Sequence, residues 1–154
     1  MKSVLFVCMG NICRSPAGEA VLSKLAEQRG VPLRIDSAGT HDYHVGGRAD
    51  LRMRAAAQER GYDLTSRARH VQTSDLTGTF DRVIAMDRDN LANLKAIPGG
   101  DSGTIRLFSE YLDREDPRDI PDPYYGEADG FETVIDLMEK GCPKILDDLF
   151  GPVE

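Results

Sequence analysis

Val4-Leu5-Phe6-Val7-Cys8-Met9-Gly10-Asn11-Ile12-Cys13-Arg14-Ser15-Pro16 is the stretch on which the reading of this chain turns. An apolar run of strand length ends in a cysteine, five residues intervene, and an arginine and a serine open a helical segment. The strand places Cys8 at the carboxyl edge of a sheet, and Gly10 is expected to let the loop turn sharply. The helix behind it directs unpaired N–H groups and a positive dipole end back toward the thiol. A thiol held there ionises more readily than a free one, whose pKa is about 8.5. A tetrahedral oxyanion fits the same cradle, clamped by the planar fork of Arg14. A cysteine followed six positions later by an arginine is weak on its own, since most such cysteines are buried core thiols. The preceding strand, the Gly-Asn within the loop and the Arg-Ser-Pro after it each meet a separate requirement. Together they put nucleophile and anion site in one place, as an enzyme that transfers phosphate through cysteine requires.

Outward from this stretch, strand-length apolar runs alternate with helix-period segments. Lys2 to Val7 predicts a strand, and Pro16 to Gln28 a helix with Ala17, Ala20, Val21 and Leu25 on its apolar face. Pro16 suits a first turn, Ser15 is a candidate cap, and Gly30 ends the helix. Leu33 to Ser37, Asp81 to Met86 and Thr104 to Phe108 predict three further strands. Ala49 to Glu59, Arg88 to Ala96 and Phe131 to Leu149 predict helices, the last perturbed by Gly141 and Pro143. Such alternation predicts an α/β fold: a doubly wound, four-stranded parallel sheet in three layers, helices on both faces, with flavodoxin-like strand order. Active sites in these sheets lie beyond the carboxyl ends of the strands, where Cys8 falls. Ser109 to Ala128, with three prolines and no periodicity, reads as a long surface loop, and such loops tend to be functional.

The 154 residues predict a single domain over 1–154, with the 40% hydrophobic and 29% charged composition of a soluble protein. There is no apolar run long enough to span a membrane and no signal-peptide core, so a cytoplasmic location is expected. Three cysteines make no secreted disulfide framework, no Cys-x-x-Cys pair exists, and only three histidines are present. No metal or cofactor is expected. The net charge of −7 argues against nucleic acid as a partner. It leaves anion binding to local loop amides, a helix end and Arg14.

The long loop contains Asp122-Pro123-Tyr124-Tyr125-Gly126. A thiolate attacking a phosphate monoester needs an acid for the departing oxygen, and Asp122 is a candidate, stiffened by Pro123. The flanking tyrosines offer rings to a flat substrate group. Asp116-Pro117 shows that Asp-Pro can also be plain loop chemistry. With both segments in view, the chain resembles the low-molecular-weight protein tyrosine phosphatases over nearly its whole length. The resemblance is carried by Val7-Cys8 to Pro16, Asp36-Ser37-Ala38, Asp42-Tyr43, Ala85-Met86-Asp87 and Asp122 to Gly126. It implies that Cys8 is the nucleophile, Arg14 the phosphate clamp and Asp122 the general acid. It further implies that Met9, Gly10, Asn11, Ile12, Cys13, Arg14 and Ser15 form the phosphate-binding loop. Ser15 would donate to the thiolate, Asn11 would brace the loop, and Tyr43, Tyr124 and Tyr125 would line the substrate cleft. A tyrosine-phosphorylated protein is the implied partner, and a monomer or weak dimer the expected state.

The resemblance also suggests that oxidation joins Cys8 to Cys13 reversibly; a small packed residue is the equal alternative for Cys13. Cys142 reads as core. Many family members place a histidine that helps hold the loop asparagine where this chain has Ser66. Arsenate reductases share the fold but need further cysteines near the third strand, which here reads Ile84-Ala85-Met86-Asp87-Arg88. Protein-arginine phosphatases are similar but tend to carry threonine in place of Ile12 and lack the double tyrosine. A binding module without catalysis would be expected to have lost the cysteine or the acid. His41, His44 and His70 read as surface residues, and Arg48, Arg52, Arg54, Arg67 and Arg69 as a basic rim or a solvated face.

Overall fold

The computed structural model describes residues 1–126 and 129–153, and of Tyr125 only the backbone. Four strands, β1 (Lys2–Cys8), β2 (Leu33–Gly39), β3 (Arg82–Ala85) and β4 (Ile105–Leu107), form one parallel sheet in the order β2-β1-β3-β4. The helices are α1 (Arg14–Arg29), α2 (Leu51–Glu59), α3 (Arg88–Lys95) and α4 (Asp129–Phe150). The order is that of a doubly wound sheet. The chain leaves β1 to one side for β2 and returns to the other side for β3, opening a crevice beyond the carboxyl end of β1.

Val4 to Val7 are wholly buried, as a central strand covered on both faces must be. Alternation divides them. Val4 and Phe6 face the core built with α1, α2 and α4, whereas Leu5 and Val7 face Val71, Leu76, Phe80 and Leu94. The second face is covered by α3 and an irregular turn over Asp75–Thr79, which the sequence did not announce. Its Thr77 and Gly78 leave helical geometry, so no 3.6-residue pattern exists to find.

Element boundaries shift where a side chain caps a helix. Asp50 accepts from the backbone of Arg52 and Met53, so α2 begins at Leu51 rather than Ala49. Asp87 caps α3 through Asn90 N at 2.7 Å. Ser15 does not cap α1, which starts at Arg14; its hydroxyl is engaged elsewhere. Gly30 ends α1 at φ 67°, the left-handed conformation that glycine adopts without strain. α4 runs through Gly141 and Pro143 unbroken. Gly141 is needed there because a Cβ would stand 2.4 Å from the Phe108 ring.

Ser109 to Ala128 is not simply a surface loop. Phe108–Tyr111 forms a tight turn, and Ser109, Tyr111, Leu112 and Ile120 are buried. The Ile120 amide donates to Met86 O at 3.0 Å, tying the segment to the end of β3. This anchors Asp122 over the crevice; Ala128 lies outside the described residues. Among the described residues, no helix is long and apolar enough to cross a membrane.

Candidate active site

The loop from Cys8 to Arg14 is braced on three sides. Thr40 N donates to Cys8 O and His41 N to Met9 O, while Asp50 N donates to Ile12 O at 2.8 Å. The sharp turn falls at Asn11, the non-glycine residue with φ 58°, and not at Gly10 as expected. Asparagine tolerates this region because its short amide bonds locally. Here Asn11 Oδ1 accepts from Arg69 N at 3.0 Å, and Nδ2 donates to Ser15 Oγ at 2.8 Å and Ser37 Oγ at 2.9 Å. Gly10 serves a different need: a Cβ there would press on the His44 ring at 3.1 Å.

Ser15 Oγ lies 3.0 Å from Cys8 Sγ. Because its oxygen already accepts from Asn11, its single proton is available to the sulfur. The start of α1 adds unpaired N–H groups and the positive end of its dipole. Arg14, 3% exposed at its side chain, points its guanidinium at Asp87 Oδ2 at 2.6 Å, Ile120 O at 3.0 Å and Asp122 Oδ2 at 3.4 Å. Burial opposes the guanidinium charge, but Cys8, Asp87 and Asp122 outweigh it and hold the group more firmly protonated than usual. One buried cation is thus shared between Asp122, the α3 cap Asp87 and the Cys8 thiol.

Cys8, Met9, Gly10, Ile12, Cys13 and Arg14 line one cleft, closed by Tyr43, His44, Asp122 and Tyr124. Asn11 and Ser15, expected among the phosphate-binding residues, do not line it; they brace it from behind. Tyr43 is 69% exposed and Tyr124 40%, so both rings stand at the mouth. The Tyr125 side chain lies outside the described residues. Asp122 Oδ1 accepts from Tyr124 N at 3.1 Å, which fixes the turn that carries this carboxylate. Cys13 is buried, and burial, followed by Asp50, Cys8 and Asp122, pushes its thiol far up; Cys142 is fully buried and likewise raised by burial. All three cysteines are free.

Two site residues escaped the sequence reading. His44, taken for a surface residue, lines the cleft with its ring 6.1 Å from that of Tyr124. Asp87 positions Arg14; its place just beyond the carboxyl end of β3, beside the crevice, was a usable signal. His41 stacks on Tyr43 at 5.1 Å, and His70 bonds Thr40 O. Of the arginines, Arg69 pairs with Asp36 and Asp75. Arg54 and Arg67 donate to the backbone, whereas Arg52 reaches the mouth, its guanidinium 5.4 Å from the Tyr124 ring centre. The side-chain hydrogen bonds of Asn11 go to Ser15, Ser37 and Arg69, while the Ser66 hydroxyl supports Glu19. Among the described residues, no group of His, Cys, Asp and Glu is arranged to hold a metal ion.

The profile of the low molecular weight phosphotyrosine protein phosphatases matches residues 3–151. A low molecular weight phosphotyrosine protein phosphatase of Schizosaccharomyces pombe is 43% identical over 141 residues, 88% of this chain and 90% of that protein. A protein tyrosine phosphatase of Entamoeba histolytica, solved with Hepes in its active site, superposes with a TM-score of 0.91 at 40% identity, covering 97% of both chains. A Drosophila arginine phosphatase superposes at 0.88 with 30% identity, over 97% of this chain and 98% of its own. With the Cys8–Arg14 loop, the shared arginine and the late Asp-Pro turn gathered in one cleft, these likenesses settle the relationship: the chain belongs to the low molecular weight phosphotyrosine protein phosphatase family.

Proposed function

We propose that this protein hydrolyses aryl phosphate monoesters on tyrosine-phosphorylated proteins through a phosphocysteine intermediate. The observation that carries the reading is the Arg14 guanidinium, buried in the cleft with Cys8 and paired to both Asp87 and Asp122. It supports a reading in which Arg14 clamps the phosphate, Cys8 attacks it and Asp122 serves as the acid.

In the first step the Cys8 thiolate attacks phosphorus in line, forming the S–P bond as the P–O bond to the phenol breaks. Asp122 gives its proton to the departing oxygen. In the second step Asp122, now a carboxylate, takes a proton from water, whose oxygen attacks phosphorus and displaces the thiolate, releasing inorganic phosphate. Charge spread over the equatorial oxygens meets the Arg14 fork and the start of α1. Both protonation states must coexist, Cys8 ionised and Asp122 protonated, so the rate has a bell-shaped pH dependence. Ile12 on the cleft wall and the rings of Tyr43 and Tyr124 at its mouth suit a phenyl group better than a guanidinium.

Cys13 lies in the same loop, and a reversible Cys8–Cys13 disulfide belongs to this proposal. Burial pushes the Cys13 thiol up, so Cys8 is the sulfur expected to be oxidised first. Mild peroxide followed by mass spectrometry tests it. The activity itself is tested with phosphotyrosine, phosphoserine, phosphoarginine and arsenate as substrates and vanadate as competitor. Preference for the aryl ester is expected. Preference for phosphoarginine would transfer the chain to the activity named for the Drosophila relative, and reduction of arsenate would overturn the hydrolase reading.

A further inference from the structure

Behind the nucleophile, the hydrogen bonds run in one direction and end on a carboxylate. Asn11 Oδ1 is occupied by Arg69 N, so its amide cannot be reversed without setting donor against donor. Both Nδ2 protons are therefore outward, one to Ser15 Oγ and one to Ser37 Oγ. A hydroxyl has one proton to give. Ser15 accepts from Asn11 and turns its proton to Cys8 Sγ; Ser37 accepts from Asn11 and turns its proton to Glu19 Oε1 at 2.7 Å. Asn11, Ser15 and Ser37 are all buried, so no bulk water substitutes for a lost partner.

We propose that Glu19 is a positioning residue for the nucleophile, its carboxylate being the terminal acceptor that orients the relay Ser37–Asn11–Ser15 toward Cys8. This rests on Cys8 acting as the thiolate nucleophile. Glu19 sits on α1, one turn beyond Ser15, beside a cleft of about 90 Å³ that it shares with Ser66. Its surroundings are mixed: burial raises its pKa most, the Ser37 hydrogen bond lowers it, Asp36 raises it, and Ser66 and Arg69 lower it. The net direction is upward. A carboxylate that terminates the nucleophile's hydrogen-bond chain has its use in the site. With leucine there, which offers no acceptor oxygen, the Ser37 hydroxyl is no longer held, Asn11 loses a fixed partner, and the Ser15 proton is less firmly committed to sulfur.

The test is the pH dependence of Cys8 alkylation by iodoacetamide, with inorganic phosphate as protectant, in wild type, Glu19→Leu, Ser37→Ala and the double variant. Modified peptides are assigned by mass spectrometry, and the pH profile of kcat/KM is recorded alongside. Each single variant is expected to raise the alkylation midpoint by about half a unit to one unit. The acidic limb of kcat/KM moves with it, and the double variant moves no further than the singles. Glu19→Gln, whose amide oxygen still accepts from Ser37, is expected to keep the midpoint closer to wild type than Glu19→Leu does, which a merely structural residue would not show. Wild-type midpoints in folded Glu19→Leu and Ser37→Ala overturn the inference alone. Failure of the wild-type thiol to react at neutral pH, or of phosphate to protect it, overturns the nucleophile reading as well. Should Glu19→Leu not fold, Ser37→Ala decides in the same way.

Discussion

Replacing Asp87 by asparagine isolates what the Arg14 ion pair does. Asp87 uses its two oxygens for different tasks: Oδ1 accepts from Asn90 N at 2.7 Å and caps α3, and Oδ2 meets Arg14 Nη1 at 2.6 Å. In Asp87→Asn the amide oxygen keeps the cap, which turns the amide nitrogen, a donor, against a guanidinium that can only donate. Removing one partner of a fully buried ion pair costs ~3–5 kcal/mol. Here the side chain of Asp87 is 18% exposed, and Ile120 O and Asp122 Oδ2 still hold the guanidinium. A cost of roughly 1–2 kcal/mol follows, which as lost transition-state stabilisation is about 5- to 30-fold in kcat/KM. Asp87→Ala loses the cap too, about 1 kcal/mol more in stability. The assay is kcat/KM on an aryl phosphate, with urea unfolding of both variants. Asp87→Asn within twofold of wild type would refute the claim that this carboxylate aims Arg14.

Other expectations follow from the same geometry. Asp122→Asn is expected to lower kcat by roughly 10²- to 10⁴-fold on a phenolic ester whose leaving oxygen needs a proton, and less on one whose phenolate is already stable; a loss independent of leaving group would remove Asp122 as the acid. Tyr62 donates to Glu139 at 2.6 Å and, through burial first and then that bond and the Glu139 charge, its hydroxyl is pushed up to about 12. Its contribution is complete below about pH 10, where the unfolded phenol is protonated, and is lost as pH rises through the folded value. The stability gap between wild type and Tyr62→Phe in urea unfolding should therefore close between those limits; a constant gap contradicts it. Gly141→Ala forces a Cβ against Phe108 and is expected to cost about 1–3 kcal/mol with little change in KM, read by thermal melting and steady-state kinetics.

The sheet was legible because its strands are buried on both faces: Val4 to Val7 and Val83 to Ala85 have no polar alternation to mislead. That Cys8, Arg14 and Asp122 share one cleft could be anticipated because each sits at a recognisable local feature, a strand end, a helix start and a stiff turn. What escaped detection lies in pairings distant in sequence. Asp87 reaches Arg14 across 73 positions and Arg69 reaches Asn11 across 58, and no local pattern marks either bond. Gly10 was assigned a turn that Asn11 makes, since glycine is the usual residue for it and the Ser15, Ser37 and Arg69 contacts that hold Asn11 there are tertiary. Ser15 was read as a cap because serine so often is one; Asn11 and Cys8 claim its hydroxyl instead. His44 joined the cleft because the loop after β2 folds back over Gly10.

The account stands on phosphoryl transfer to Cys8 Sγ, and rapid acid quench of Asp122→Ala during turnover of a para-nitrophenyl ester measures it directly. With the leaving group needing no acid and the water-activating base removed, the account predicts that one phosphoryl group accumulates on the peptide containing Cys8. An unmodified Cys8 while phenolate is still released, or the phosphoryl group on another residue, would contradict it.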